Sequence, residues 1–580
     1  MGGGELLMTT KSMKTKSAIQ RFMHLDPNKL RGGYYTPADL AAWVAAWCIQ
    51  KADDQILEPS CGDGVFLAAA GKRLLTLGAA PEAVVKQLQG LEIIDVEATT
   101  ATESLETVLG IDADGTVEKG DFFEWWQSPG RGTFDVIIGN PPFIRYQSFP
   151  EPHRSRAMAI MRSLGLVPNK LTNSWVPFVA AAVRALNPGG RMGLVLPAEL
   201  LQVSYAAQMR TFLVENFRDI HIVACNELFF EKAEQEVVVL LADGALADSQ
   251  PENDCVVSVS ITPTRQSVID APAETLIANS PPKHVQHSDE KWLKYFLSQQ
   301  QIDLMRALRK SGVVTTLDKF ASVDVGVVTG KNEFFVLNES QLHQWRLQEF
   351  SLPLVGRAAH LNGAIFGHQQ WKELSARGDR VHLLQLGTQD RSSLPNGALD
   401  YVLHGEQNAF DLGYKCSLRK PWYSVPSVWS PDIFLFRQIY EFPRMLVNQA
   451  MATCTDTIHR MNVHIGTPET VAEMCFTSLT AASAEIEGRS YGGGVLELEP
   501  TEAERLLVPA SLSGGLPLSE VDVLIRAGRM VEVLDLNDKR ILGDQLGLST
   551  KERKLLRTAW DTMRQRRLSR RRVRIPKRDI

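Results

Sequence analysis

Asn140-Pro141-Pro142-Phe143 is the stretch of this 580-residue chain whose residue types best match a chemical task. It follows Phe134-Asp135-Val136-Ile137-Ile138-Gly139, a short β-branched run that reads as a strand ending in glycine. Two consecutive prolines stop any regular element there. The Asn140 amide oxygen and the Pro141 carbonyl are then left at the carboxyl edge of a sheet, where open α/β folds keep their ligands. Two acceptors beside the flat face of Phe143 suit an amino group on a planar base.

Such a site needs other elements to bring a second reactant to it, and three upstream strand ends carry acids. The first is Glu58-Pro59-Ser60-Cys61-Gly62-Asp63-Gly64, where a strand breaks into a glycine turn and opens an Ala-rich helix. Gly62 and Gly64 let backbone approach a ligand, and the helix start offers unpaired N–H groups, although a purely structural turn has the same composition. A dinucleotide fingerprint is disfavoured, because Leu67 stands where its third glycine would be and the next strand-end acid, Glu92, comes too late. A carboxylate at Glu92 can accept from both hydroxyls of a ribose. Asp121 followed by Phe122 can accept from an adenine amino group while a ring stacks on the base. Each acid alone reads more readily as a solvated loop residue; in series with Asn140 they place polar groups at one sheet edge. Further upstream, Tyr35-Thr36-Pro37 precedes a helix carrying Leu40, Val44 and Trp47, with Thr36 as its expected N-cap.

Taken in order, Tyr35-Thr36-Pro37, the Glu58 turn, Glu92, Asp121 and Asn140-Pro141-Pro142-Phe143 resemble the gamma-class, TaqI-like N6-adenine DNA methyltransferases of type II restriction–modification systems, which use S-adenosylmethionine. The resemblance implies that Thr36, Glu58 and Ser60 meet the methionine end of the cofactor, with Tyr35, Gly62 and Gly64 beside them. It places Glu92 at the ribose, Asp121 and Phe122 at the adenine, and Pro142 next to it. Asn140, Pro141 and Phe143 would hold a target adenine flipped from duplex DNA, with Phe229 as a second stacking face. The same motif also serves methyltransferases of an RNA base or a protein glutamine amide. A DNA-binding protein with a decayed methyltransferase domain is the other alternative.

The wider pattern, taken with this resemblance, implies an α/β chain in five parts. Residues 1–20 read as disordered, and 21–245 as a seven-stranded Rossmann-like methyltransferase domain that includes an amphipathic helix from Trp175 to Leu186. Residues 246–300 read as a linker with one apparent strand at Val256 to Ile261, 301–515 as a mixed α+β target-recognition domain with a β-hairpin over 320–337, and 516–580 as a helical segment with a basic tail. A capping box at Ser549 and Glu552 starts the last helix, whose apolar stripe is Leu555, Leu556, Ala559, Trp560 and Met563. Candidate DNA contacts are Lys331, Arg419, Lys420 and Arg437, with Arg566, Arg567, Arg570, Arg571 and Arg572 forming a phosphate clamp.

Composition agrees with a globular chain, 44% hydrophobic and 22% charged with net charge −5, and no run is long enough to span a membrane. The seven cysteines lack CxxC spacing, so free thiols in a prokaryotic cytoplasm are expected and no metal is implied. Double-stranded DNA is the expected partner. The chain is expected to act as a monomer and to modify without cutting, with a restriction endonuclease encoded separately.

Overall fold

The computed structural model describes residues 35–227, 229, 236–250, 254–285, 290–491 and 493–569. The chain divides into two compact units at Phe296/Leu297. The first is built on one sheet of eight strands, in the order β3-β2-β1-β4-β5-β7-β6-β8. These are β1 (Ile56–Glu58), β2 (Leu88–Glu92), β3 (Val117–Lys119), β4 (Phe134–Gly139), β5 (Leu186–Pro197), β6 (Phe217–Cys225), β7 (Val237–Ala245) and β8 (Val256–Thr262). β1 pairs in parallel with β2 on one side and β4 on the other, and β4 pairs in parallel with β5. β7 runs antiparallel between β5 and β6.

The eighth strand corrects the expected count of seven and the expected linker together. Val256 to Thr262 pairs in parallel with β6 along seven residues, and Val268 and Ala273 just beyond it are buried in the core of the unit. The strand expected at Val256 to Ile261 is therefore part of the sheet rather than of a linker, with Val257, Ser258, Ser260 and Thr262 buried. A second correction concerns the helix after Asn173. It spans Trp175–Val183 and is buried on every side rather than amphipathic, since its residues are almost all apolar or small.

Helices that position the site are α1 (Ala38–Cys48), α2 (Val65–Thr76), α3 (Asp95–Leu109), α4 (Phe122–Gln127), α5 (His153–Ser163) and α6 (Trp175–Val183). α1 is not capped by Thr36: Pro37 occupies the N-cap position, and the Thr36 hydroxyl is engaged elsewhere.

In the second unit, the expected hairpin over 320–337 does not form. Ala321–Val325 pairs with the distant Ile458–Val463, while Val336–Leu337 pairs with His382–Leu384. Gly326 sends the chain away: a side chain there would sit 2.1 Å from the Thr455 carbonyl oxygen, so only glycine permits that approach. The unit's five-stranded sheet is flanked by smaller ones, and helix Thr550–Leu568 packs on helix Ser478–Glu487. The capping box that starts the former is present as expected, from Ser549 to Glu552.

Candidate active site

The chain leaves β1 to build β2 and β3 on one side, then returns to place β4 on the other. Crevices form at the carboxyl ends of strands where order reverses in this way. Here the crevice is a cavity of about 340 Å³ lined by groups from four strand ends. Along that edge lie Asp121 after β3, Glu92 ending β2, Glu58 ending β1 and Asn140 after β4, in spatial order. Tyr35, Thr36, Ser60, Gly62, Phe122 and Pro142 also line it.

Glu58 is fully buried, and its Oε2 has no hydrogen-bond partner among the described residues. Burial, reinforced by the nearby Asp63 carboxylate, raises its pKa well above the ordinary range. An uncompensated buried carboxyl in the wall of a cavity is a receptor for a cation. Glu92 is held by two backbone donors, Gly62 N–H at 2.9 Å and Ile94 N–H at 2.9 Å, and burial raises its pKa too. Asp121 caps α4 by accepting from Phe123 N–H at 3.0 Å, while its other oxygen meets His153 Nδ1 at 2.8 Å and Arg156 at 3.1 Å.

The Asn140 amide donates to the Thr36 hydroxyl at 3.2 Å, which sets the donor and acceptor ends of the amide. Residues 142–144 are fixed by Ser174, just before α6. Its hydroxyl donates to the Pro142 carbonyl and accepts from Ile144 N–H at 2.8 Å, and its own N–H donates to the Ile144 carbonyl at 2.9 Å. The hydroxyl is wholly buried.

Several expected residues stand elsewhere. Gly64 does not line the cavity; a side chain there would meet the Ala101 backbone of α3 at 2.6 Å, so its glycine serves helix packing. Phe229 is buried among core side chains between β6 and β7, where it presents no open face for a base. Phe143 packs against the same core, half-buried, and Pro141 borders a small separate hollow beside Ser60.

Among the expected DNA contacts, Arg567 is buried in a bidentate pair with Glu485, and Arg566 is buried as well. Arg437 pairs with Glu497 and Glu499, and Arg419 donates to the carbonyls of Val328 and Thr329. Lys331 pairs with Glu333 at 3.2 Å, whereas Lys420 is exposed. Arg570, Arg571 and Arg572 lie outside the described residues. A basic side chain on an amphipathic helix looks the same in sequence whether it meets phosphate or a buried carboxylate.

The sequence reading missed Phe178, His153 and Ser174. Phe178 lines the cavity and stacks on Phe122 with ring centroids 5.3 Å apart. It is an aromatic among many, without a local signal. His153 starts a helix 10 residues past Phe143, and only the fold returns it to Asp121.

Two family models cover most of the chain. Residues 19–257 match the N-6 DNA Methylase family, and residues 289–542 match the C-terminal domain of the type II methyltransferase M.Eco57I. The type II methyltransferase M.AccI of Acinetobacter calcoaceticus is 23% identical over 526 residues, 86% of this chain and 90% of that protein. M.XamI of Xanthomonas campestris pv. amaranthicola is 24% identical over 492 residues, 83% of this chain and 85% of that one.

The chain belongs to the type II N6-adenine DNA methyltransferases.

It is an S-adenosylmethionine-dependent enzyme that methylates adenine in specific DNA sequences as part of a restriction–modification system. This sets aside the RNA-base and protein-amide alternatives and the decayed domain. The methyltransferase fold is also that of the type IIL restriction–modification enzyme MmeI, solved in complex with DNA. The match there has a TM-score of 0.54 at 11% identity over 91% of this chain and 75% of that one. No helix among the described residues is long and apolar enough to cross a membrane.

Proposed function

We propose that the cavity at the β1/β4 edge holds S-adenosylmethionine and that Asn140 and Pro141 hold a flipped target adenine beside it, in a gamma-class arrangement. The observation that carries this reading is the buried Glu58 oxygen without a partner, set in a row of acceptors. A cofactor with a cationic methionine end, a ribose diol and an amino-bearing base matches that row. Glu58, Thr36, Ser60 and the Gly62 backbone would take the methionine end, with Tyr35 beside it, Glu92 the ribose, and Asp121, Phe122 and Pro142 the adenine. The bound cofactor supplies an electrophilic methyl group.

The rest of the chemistry belongs to this chain's own residues. Adenine N6 is a poor nucleophile because its lone pair is delocalised into the ring. Acceptors at Asn140 Oδ1 and the Pro141 carbonyl would take both amino hydrogens, favour a localised lone pair and fix its direction. No acidic base is needed, since the methylated nitrogen is acidic enough to lose its proton to solvent or to the Asn140 oxygen. The edge lies at strand ends inside a crevice, so a base must leave the duplex to reach it, with Phe143 offering replacement stacking.

The second unit would carry sequence recognition, with Lys331, Lys420 and the tail arginines Arg570, Arg571 and Arg572 toward phosphates. The chain would act as a monomer in a prokaryotic cytoplasm, with a separately encoded endonuclease cutting the same site; magnesium-dependent cleavage by the purified chain would overturn that division. The central test is Asn140→Ala. Cofactor binding by calorimetry should persist while transfer of labelled methyl to DNA falls by at least about 100-fold, the scale of losing one preorganised hydrogen-bonding group. Residual transfer within tenfold of the parent enzyme would reject the assignment.

A further inference from the structure

Within the second unit, residues 409–420 expose three large apolar side chains: Leu412 at 73%, Tyr414 at 75% and Leu418 at 67%. Soluble proteins rarely leave such groups together on a surface without a partner. They alternate with cations, the exposed Lys415 and Lys420. The segment is held from beneath. Arg419 donates to the carbonyls of Val328 and Thr329 at 2.8 and 2.6 Å, the Lys331 ammonium lies 4.9 Å from the Phe410 ring centroid, and Cys416 is buried. Gly330, with φ +83°, lets that turn approach the Lys415 Cβ so closely that an added methyl would lie 2.7 Å from it.

Resting on the proposed DNA reading, we infer that this segment is a DNA-docking wedge. Leu412, Tyr414 and Leu418 meet unstacked or tilted base faces, and Lys415 and Lys420 meet the flanking phosphates. Duplex DNA is the occupant that presents apolar base faces between two rows of anions, and rigid wedges of this composition distort base steps. A segment fixed beforehand loses little freedom on binding.

The test uses the full chain with fluorescently labelled duplexes and with 2-aminopurine placed at each step of the recognition site. Tyr414→Ala should weaken duplex binding about tenfold, as for one lost stacked aromatic, with an unchanged salt slope. It should also remove 2-aminopurine fluorescence at a step away from the target adenine. The Lys415→Ala, Lys420→Ala pair should lower the salt slope by about 2. Unchanged affinity and fluorescence in Tyr414→Ala would overturn the wedge, as would loss of a self-associated species on sizing while DNA affinity held. A parent enzyme that binds no duplex at all would instead defeat the underlying reading. S-adenosylhomocysteine binding and the melting temperature serve as folding controls, and Tyr414→Phe should retain the parent behaviour.

A separate observation concerns the cofactor cavity. Asp121 already accepts three hydrogen bonds, from Phe123 N–H, His153 Nδ1 and Arg156, of roughly four that a carboxylate can take. A carboxylate only accepts, so Nδ1 donates to Asp121, and in the neutral ring that leaves Nε2 as the acceptor. His153 lines the cavity, and Nε2 has no hydrogen bond among the described residues. Resting on the cofactor reading above, we propose that Asp121 meets the cofactor's adenine through His153, whose Nε2 takes the amino group and makes the pocket selective for adenine.

Calorimetry with S-adenosylhomocysteine and its inosine counterpart, whose amino group is replaced by oxygen, reads this directly. The parent enzyme should prefer the adenine compound at least about tenfold, because a donor-seeking acceptor is left unpaired by the analogue. His153→Phe should bring the ratio close to 1, and His153→Gln, which keeps an acceptor, should restore part of it. A full preference retained in His153→Phe would overturn the proposal, as would a His153→Gln ratio no better than that of His153→Phe. Failure of the parent to bind either compound would count against the cavity assignment instead.

Discussion

Glu58 combines two demands that conflict. Its carboxyl is buried without a partner for Oε2, so ionising it costs desolvation that the unfolded chain does not bear. Its folded-state pKa therefore lies above the unfolded value. The folded state holds a proton in a range where the unfolded chain has released it, and stability falls as pH rises above the ordinary carboxylate range. Asp63 and Glu92 are raised by burial in the same direction. Glu58→Gln should accordingly raise the melting temperature of the ligand-free enzyme at neutral pH and flatten its decline with pH. The same change should weaken S-adenosylmethionine binding about tenfold or more, the scale of a hydrogen bond to a charged group. Melting curves across pH and calorimetry check the two halves separately. A variant that binds as well as the parent would show that the cation sits elsewhere.

At the level of elements, the segment after β4 is immobilised by a residue 30 positions downstream. Ser174 bonds Pro142 and Ile144 at once, so it fixes the exit of the loop whose entry carries Asn140. Ser174→Ala should lower kcat by about 10- to 100-fold, the cost of displacing a reacting geometry by something like 1 Å. KM for DNA should change less than kcat, and Ser174→Thr should recover part of the loss; steady-state methylation assays read all three. The Asn-Pro-Pro-Phe run was legible because a β-branched run followed by prolines declares a strand end, and Glu58 and Asp121 because Pro59 and Gly120 stand beside them, whereas Glu92 has no such breaker. Ser174, Phe178 and His153 were not, since what brings them to the cavity and its loop is a long-range return of the chain. Gly64 carries a constraint of the same long-range kind, from Ala101 across a helix packing.

Over the whole molecule, the largest departure from the sequence pattern is charge. Residues 551–580 hold 13 Lys and Arg against three acids in a chain of net charge −5, which suggests an outward basic face. The helix Thr550–Leu568 instead buries Arg566 and Arg567 along with Leu556, Ala559, Trp560 and Met563. Arg567 is 1% exposed and Glu485 3%, and the guanidinium also donates to the carbonyls of Gly494 and Tyr440. Glu485 lies in the last turn of the helix Ser478–Glu487, so the pair clamps two helices and a strand connection of the second unit. Removing one partner leaves a buried charge uncompensated, at a cost of about 3–5 kcal/mol. Arg567→Ala should therefore move the denaturation midpoint of the second unit sharply down, while Arg567→Met with Glu485→Leu should recover most of the loss. Deleting 570–580 should leave that midpoint in place and weaken DNA binding with a flatter salt dependence. Urea titration followed by tryptophan fluorescence, beside DNA titrations at several salt concentrations, separates the two. An Arg567→Ala protein of parental stability with a reduced salt slope would return Arg567 to the DNA.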